Sequence, residues 1–319
     1  MCNWFKASAP GSFFWMGEHS VLRGGRAILS AVDLLVRGTL TPNHSSLLCI
    51  DSSLGKEEIE LFSLSSESSS RFPLIVDVFQ RWKERLPSGC TLKIEADFSD
   101  QVGLGSSAAV TVVTWALLYL WMGEKISPEQ LFFSSLKTIR AVQGQASGAD
   151  LAASIFGGLL HYTAPRELTP PLFEKLPMQS IPSFFLLYSG EKMKTAEVIT
   201  RVEEREKLLP DLFCSLFGLM EDCTSRAVKA IRRNHWEQLG ALLNFYQGLL
   251  DSLGVNNHAL SSLIYHARSL PTVWGSKISG AGLGDCVLVL ERDKSDFFVK
   301  REGYISLSFY TKGLQYETG

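Results

Sequence analysis

The sequence has no C-x-x-C pair, no dense run of Lys or Arg, no repeat of fixed period and no apolar run of bilayer length. Each absence closes off a class of function. The six cysteines (Cys2, Cys49, Cys90, Cys214, Cys223, Cys286) are scattered, which argues against a zinc site or a disulfide framework. That usage suits a reducing compartment, so a cytoplasmic location is expected. Lys and Arg number 31 against 33 Asp and Glu, for a net charge of −2, and no nucleic-acid partner is expected. A basic start followed by a long apolar core is missing too, so no signal peptide is expected. Residues 101–123 carry no charge, but they begin as a Gly/Ser loop. The apolar remainder is shorter than the roughly 20 residues a bilayer needs, and the reading is a buried helix, not a membrane span. What is present is the composition of a folded protein, 45% hydrophobic and 20% charged, in 319 residues. That length suffices for two domains.

The chain is organised around residues 102–109, V-G-L-G-S-S-A-A. They follow a stretch of strand character (90–98) and open the apolar segment 110–122. Gly103 and Gly105 free the backbone to take up positive φ. Ser106 and Ser107 place hydroxyls where a helix would begin, with unpaired N–H groups and the positive end of the dipole facing outward. A dipole gives at most about 2 kcal/mol, whereas micromolar nucleotide binding needs about 8 kcal/mol. Several N–H bonds and a metal ion must share that load. The plainer alternative is a turn that only starts a buried helix.

In chain order, residues 5–9 and 12–16 read as extended, broken at Pro10-Gly11. The run G-E-H-S-V-L-R-G-G-R-A-I (17–28) then places Glu18 and His19 at the end of an apolar strand, where groups aimed into a site are common; a charged pair in a surface turn is the alternative. A strand is expected over 27–40, and a polar, exposed and mobile loop over 63–70 (S-L-S-S-E-S-S-S). Helical spacing covers 72–86, and a strand over 92–98 feeds the glycine loop. Ser127-Pro128 is a helix start, with serine as cap and proline in the first turn. Further on, V-Q-G-Q-A-S-G-A-D-L-A-A-S-I-F-G-G-L-L (142–160) turns at Gly144, Ser147 and Gly148 and puts Asp150 at the head of a short helix, 151–156. An aspartate there can be a helix cap or a group facing a substrate.

Five of the twelve prolines fall between Pro165 and Pro182 and mark a domain boundary, giving domains 1–168 and 169–319. A strand (183–188) leads to S-G-E-K-M-K-T (189–195), which carries Lys192 and Lys194. Helices are expected over 196–208, 211–233, 236–253 and 257–269. Residues 276–278 enter S-G-A-G-L-G-D-C (279–286), followed by a strand (287–291), a short helix and a strand (304–311). Gly280, Gly282 and Gly284 mark a close backbone approach, unless they serve a simple hairpin.

Taken in this order, A-P-G…G-E-H-S-V-L, G-L-G-S-S-A-A and S-G-A-G-L-G-D-C resemble the three signatures of the GHMP small-molecule kinases, over nearly the whole chain. The resemblance implies an α/β (α+β) two-domain fold. Its N-terminal, ATP-binding domain would have ribosomal-protein-S5-like topology and its C-terminal domain would be ferredoxin-like, with the cleft between them. Within the family the mevalonate-pathway branch is the most similar. G-E-H before S-V-L, S-G five residues ahead of Thr195, and N-F-Y-Q-G-L-L-D-S-L-G-V (244–255) resemble mevalonate kinases. V-Q-G, D-L-A-A-S and the final G-D-C resemble phosphomevalonate kinases.

By that likeness Gly103, Leu104, Gly105, Ser106, Ser107 and Ala108 would hold the ATP phosphates, with Ser107 a ligand to Mg²⁺. Asp150 would take the proton of the attacking hydroxyl, being ionised at pH 7 and able to sit within about 3 Å of that oxygen. Ser12, Glu18, His19, Lys192, Gly280, Ala281 and Gly282 would face the acceptor, mevalonate or phosphomevalonate. ATP and Mg²⁺ are the expected cofactors, no membrane partner is expected, and a homodimer is possible. Two departures stand out: Ser12 occupies the position of the family's lysine after A-P-G, and Ile139 that of a magnesium-binding glutamate. Lys192 or Lys194 would then supply the missing positive charge. The same departures leave room for a different class, a ligand sensor of this fold without turnover.

Overall fold

Pro10-Gly11 does not divide the first extended segment. In the computed structural model, which describes residues 3–64, 69–165, 171–178, 180–293, 297–299 and 301–319, Phe5–Met16 is one strand, β1. Proline brings no N–H to the ladder, and the register against the next strand shifts between Pro10 and Ser12. An irregularity therefore absorbs the proline without ending the strand.

The partner is the 17-residue strand β2 (Arg26–Pro42). The chain continues through β3 (Leu47–Ser52), β4 (Gly55–Glu60), α1 (Pro73–Gln80), β5 (Cys90–Ala96), α2 (Ser106–Trp121), α3 (Pro128–Gln143), α4 (Ala149–Phe156), β6 (Leu159–Thr163) and β7 (Leu172–Lys175). Then follow β8 (Phe184–Tyr188), α5 (Thr195–Leu208), α6 (Pro210–Arg232), α7 (Trp236–Leu253), α8 (His258–Arg268), β9 (Val273–Ser279), β10 (Cys286–Glu291), β11 (Tyr304–Ser306) and β12 (Gln315–Thr318). An eight-stranded sheet runs β12-β1-β2-β5-β3-β4, with β6 joining β2 to β7. Within it β3 and β5 are parallel. A four-stranded antiparallel sheet runs β11-β8-β10-β9. Residues 172–175 and 315–318 thus hydrogen-bond into the first sheet although both lie beyond residue 168.

Helix α2 is apolar on nearly every face, as a helix buried on all sides must be. It packs on β1 and β2 on one side and on α1, α3 and α4 on the other. Among the described residues no helix is long and apolar enough to cross a membrane. Ser127 Oγ accepts the Gln130 N–H at the start of α3, with Pro128 in the first turn. The second core joins Phe13, Trp15 and Met16 of β1 and Leu104 of the glycine loop to β8, β10 and helices α5–α8. This shared core fixes the two sheets against each other at the level of the glycine loop.

Two further expectations need correcting. The segment 72–86 is not one helix: it is α-helical over Pro73–Gln80 and a single 3-10 turn over Lys83–Arg85, and between them Trp82 leaves the helical region at φ −120° and ψ 0° and packs edge-on against Trp115 and Tyr119 of α2. Residues 304–311 are a strand only to Ser306. Beyond it Phe309 makes a single bridge to Val32 and stacks on Trp15, because the chain is crossing back to the first sheet. Residues 65–68 of the polar loop and part of the short helix expected after residue 291 lie outside the described residues. Cys49, Cys90, Cys214, Cys223 and Cys286 are free thiols.

Candidate active site between the two glycine loops

The loop ahead of α2 has the backbone its composition predicts. Gly103 and Gly105 sit at φ 70° and 66°. Gly105 is the N-cap residue, and no side chain caps the helix. The N–H groups of Ser106, Ser107 and Ala108 in the first turn therefore have no intrahelical acceptor and present a positive helix end. A Cβ is excluded at both glycines: at Gly105 it would lie 2.3 Å from Ser12 Oγ, and at Gly103 2.8 Å from Asp285 Cγ. The glycines are needed for close approach as well as for φ.

Asp150 lies in the first turn of α4 and does not cap it; Gly148 is the N-cap residue, without a side-chain cap. The capping alternative is thus excluded. Its Oδ1 instead accepts a hydrogen bond from Ser12 Oγ at 2.7 Å and would be 3.4 Å from a Cβ on Gly105. Ser12 itself is fully buried, and its N–H donates to the Leu104 carbonyl at 3.0 Å. The irregularity in β1 therefore ties the strand to the glycine loop by its backbone and to α4 by its side chain. Burial pushes the Asp150 carboxyl above the usual carboxylate range, the Ser12 hydrogen bond opposes that rise, and the charge of Glu18 adds to it.

Glu18 and His19 do lie at the end of β1, and both are buried. The surface-turn alternative is excluded. His19 has φ 61°, and its Nε2 lies 2.8 Å from the Ala281 carbonyl. Burial lowers its pKa to about 4, with the Ala281 contact opposing and Arg23 and Lys277 reinforcing. The ring is neutral at pH 7, and Nε2–H is the donor. Glu18 is 3% exposed and pairs through Oε1 with Lys277 Nζ of β9, which is 0% exposed. Tyr246 of α7 accepts the Gly17 N–H and donates its hydroxyl to the Glu18 carbonyl, both at 3.1 Å. Lys277 escaped sequence analysis, although a lysine in V-W-G-S-K-I-S, on a strand otherwise inward-facing, is the kind of signal that marks a buried cation. Burial lowers its pKa, and Glu18 opposes the shift.

The third segment is the loop between β9 and β10. Ser279 Oγ donates to the Phe14 carbonyl at 2.9 Å and accepts the Phe14 N–H at 3.2 Å, clamping β9 to β1. Cys286 Sγ contacts the Val102 carbonyl at 3.1 Å. Asp285, which sequence analysis also passed over, is 5% exposed and adopts φ 65°. Its carboxyl fits between the two loops: Oδ1 would be 2.9 Å from a Cβ on Gly103, and Oδ2 3.0 Å from one on Gly280. Burial raises its pKa to about 6, opposed by Lys192 and the Ala281 N–H and reinforced by Asp150. Oδ1 of Asp285 and Oε2 of Glu18 are buried without a hydrogen-bond partner.

The two departures also have locations. Ile139 points into the apolar core, so position 139 offers the site nothing. One turn further along α3, Gln143 Nε2 donates to Ser107 Oγ at 3.0 Å. Lys192 is exposed and its Nζ contacts the Asp100 carbonyl, at the edge of the glycine loop. Lys194 is exposed at the N-cap of α5. Among the described residues no three His, Cys, Asp or Glu side chains are grouped to hold a metal ion.

Comparison with known proteins agrees with this assembly. The family described as GHMP kinases N terminal domain matches residues 73–158, and GHMP kinases C terminal matches residues 227–301. A mevalonate kinase of Methanothermobacter thermautotrophicus is 34% identical over 286 residues, covering 88% of each chain. Among solved structures, protein Lin0012 of Listeria innocua shares the fold with a TM-score of 0.85 at 21% identity, covering 99% of this chain and 100% of that one. L. major mevalonate kinase in complex with R-mevalonate does so with a TM-score of 0.76 at 21% identity, covering 97% and 95%. The mixed α/β architecture, the three assembled motifs and these matches place the chain in the GHMP kinase family.

Proposed function

We propose that this protein is an ATP-dependent kinase that transfers the γ-phosphoryl group to a hydroxyl of mevalonate. The observation that carries the reading is the placement of the Asp150 carboxylate across from the uncapped start of α2, at Gly105. Phosphoryl transfer asks a protein mainly for alignment and charge neutralisation. Amides of residues 103–108 would hold the triphosphate. Asp150 would take the proton of the acceptor hydroxyl as its oxygen bonds to the γ-phosphorus and the bond to the β-phosphate oxygen breaks, releasing ADP. A carboxyl raised by burial is a better base than an exposed one, and the Ser12 hydrogen bond opposes that rise and so favours the ionised form.

Neutral His19, together with Glu18 in its pair with Lys277, would form the acceptor wall, with Gly280, Ala281 and Gly282 closing it. Ser12 would act on Asp150 instead of touching the acceptor, and Lys192 would add positive charge at the loop edge. Mevalonate as the acceptor is supported by relatives named mevalonate kinase that align with most of the chain, at 34% and 31% identity.

The residues present suit Mg²⁺ brought in by the nucleotide. Ser107 offers a hydroxyl among the amides, a buried carboxylate oxygen of Asp285 lacks a partner, and the ion commonly keeps several waters and phosphate oxygens. When bound, it neutralises charge on the phosphates. The test is ADP release with Mg-ATP and a panel of hydroxyl acceptors. Mevalonate should support turnover and phosphomevalonate should not; turnover with neither, or with phosphomevalonate alone, overturns the reading.

A further inference from the structure

Asp285 takes no part in the proposed proton transfer and holds no phosphate, yet its carboxyl is buried in the cleft. Its position is costly. The residue sits at φ 65°, a region that Asp and Asn enter more readily than other side chains, and its carboxyl is taken out of water with one oxygen unpaired. It also sits against Gly103, where the reading above puts a triphosphate. A carboxylate beside a polyanion repels it unless a cation lies between them. The cations at hand are engaged or distant in role: Lys192 contacts the Asp100 carbonyl, and Lys277 pairs with Glu18. The position where an anion was expected, 139, is buried apolar core.

Resting on the nucleotide-binding reading, we propose that Asp285 is the anionic protein group that faces the nucleotide's divalent cation in this chain, through its unpaired Oδ1. Position 139 then has no vacancy to fill, because the negative charge is delivered from the β9–β10 loop of the second sheet. Two consequences separate this from a purely structural role. Asp285 favours the metal–nucleotide complex and disfavours the bare nucleotide. Removing its charge must therefore weaken the metal complex without weakening the bare nucleotide, whereas a loosened loop would weaken both.

The test is a fluorescence or calorimetric titration of a non-hydrolysable ATP analogue, with Mg²⁺ and with chelator, on wild type and Asp285→Asn. Asparagine tolerates the left-handed backbone and still accepts the Ala281 N–H, so the loop should hold. Loss of an anionic group facing a metal should weaken the Mg²⁺ complex by about tenfold or more, while the metal-free analogue binds as tightly or tighter. Equal metal dependence in the two proteins, or a parallel loss of both affinities, overturns the inference and leaves the nucleotide site standing. Absence of nucleotide binding by wild type under either condition overturns both.

Discussion

Asp150, on α4, and Asp285, in the β9–β10 loop, face the same cleft, and burial raises both carboxyls. Their settings differ. Asp150 stands on a regular helix and is held by a buried serine hydroxyl at 2.7 Å. Asp285 stands on a left-handed loop residue, and one of its oxygens has no partner at all. A carboxylate held in a fixed orientation by a side-chain hydroxyl is equipped to take a proton repeatedly. A carboxylate left under-satisfied is equipped to receive something that arrives with the ligand. Burial alone does not assign a role; the partner of each oxygen does.

Loss of the Asp150 carboxylate should be felt most strongly. Asp150→Asn keeps an acceptor for Ser12 but removes the base, and turnover should fall by about 10²–10⁴-fold with nucleotide affinity kept; steady-state rates beside a nucleotide titration check both halves. The next largest effect is structural. Lys277→Met leaves Glu18 charged and unpaired in the interior and should cost about 3–5 kcal/mol in urea unfolding. The double variant Glu18→Gln/Lys277→Met should recover much of that loss.

Smaller effects sharpen the contrast. Ser12→Ala removes a hydrogen bond to a charged group, worth about 1.5–3 kcal/mol. kcat at neutral pH should drop by about tenfold, and its acid limb should move to higher pH, because the bond that opposes the rise at Asp150 is gone. At Asp285 the folded pKa of about 6 lies above the ordinary 3.8, so the fold binds this proton more tightly than the unfolded chain does. The penalty is absent below the ordinary value, builds as pH rises through about 6 and is constant above. Asp285→Asn should therefore be more stable than wild type at pH 8 by about 1–3 kcal/mol, with the gap closing toward pH 4 as followed by thermal melts.

The legible part of this site was the part written in local chemistry. Gly103, Gly105 and the serines after them announce a positive-φ loop and a helix start, and both are found. Ser127-Pro128 announces the start of α3 in the same way. What escaped depends on distant pairings. Ser12 looks like a lost lysine until its hydroxyl is seen on a residue 138 positions away. Lys277 acquires meaning from Glu18, 259 positions away, and Asp285 from Gly103. The hairpin β3–β4 also went unassigned, because its second strand (G-K-E-E-I-E) is charged and half-exposed and lacks apolar alternation. The split expected in β1 failed because a strand can absorb a proline where the ladder already shifts register.

The proposed chemistry requires a triphosphate to lie against the bare amides at the start of α2. Amide hydrogen exchange of the protein with and without a non-hydrolysable ATP analogue and Mg²⁺ tests it directly. Slowed exchange at residues 103–108, accompanied by the 280–285 loop, is the predicted result. Unchanged exchange at 103–108 with saturating analogue bound would contradict the account.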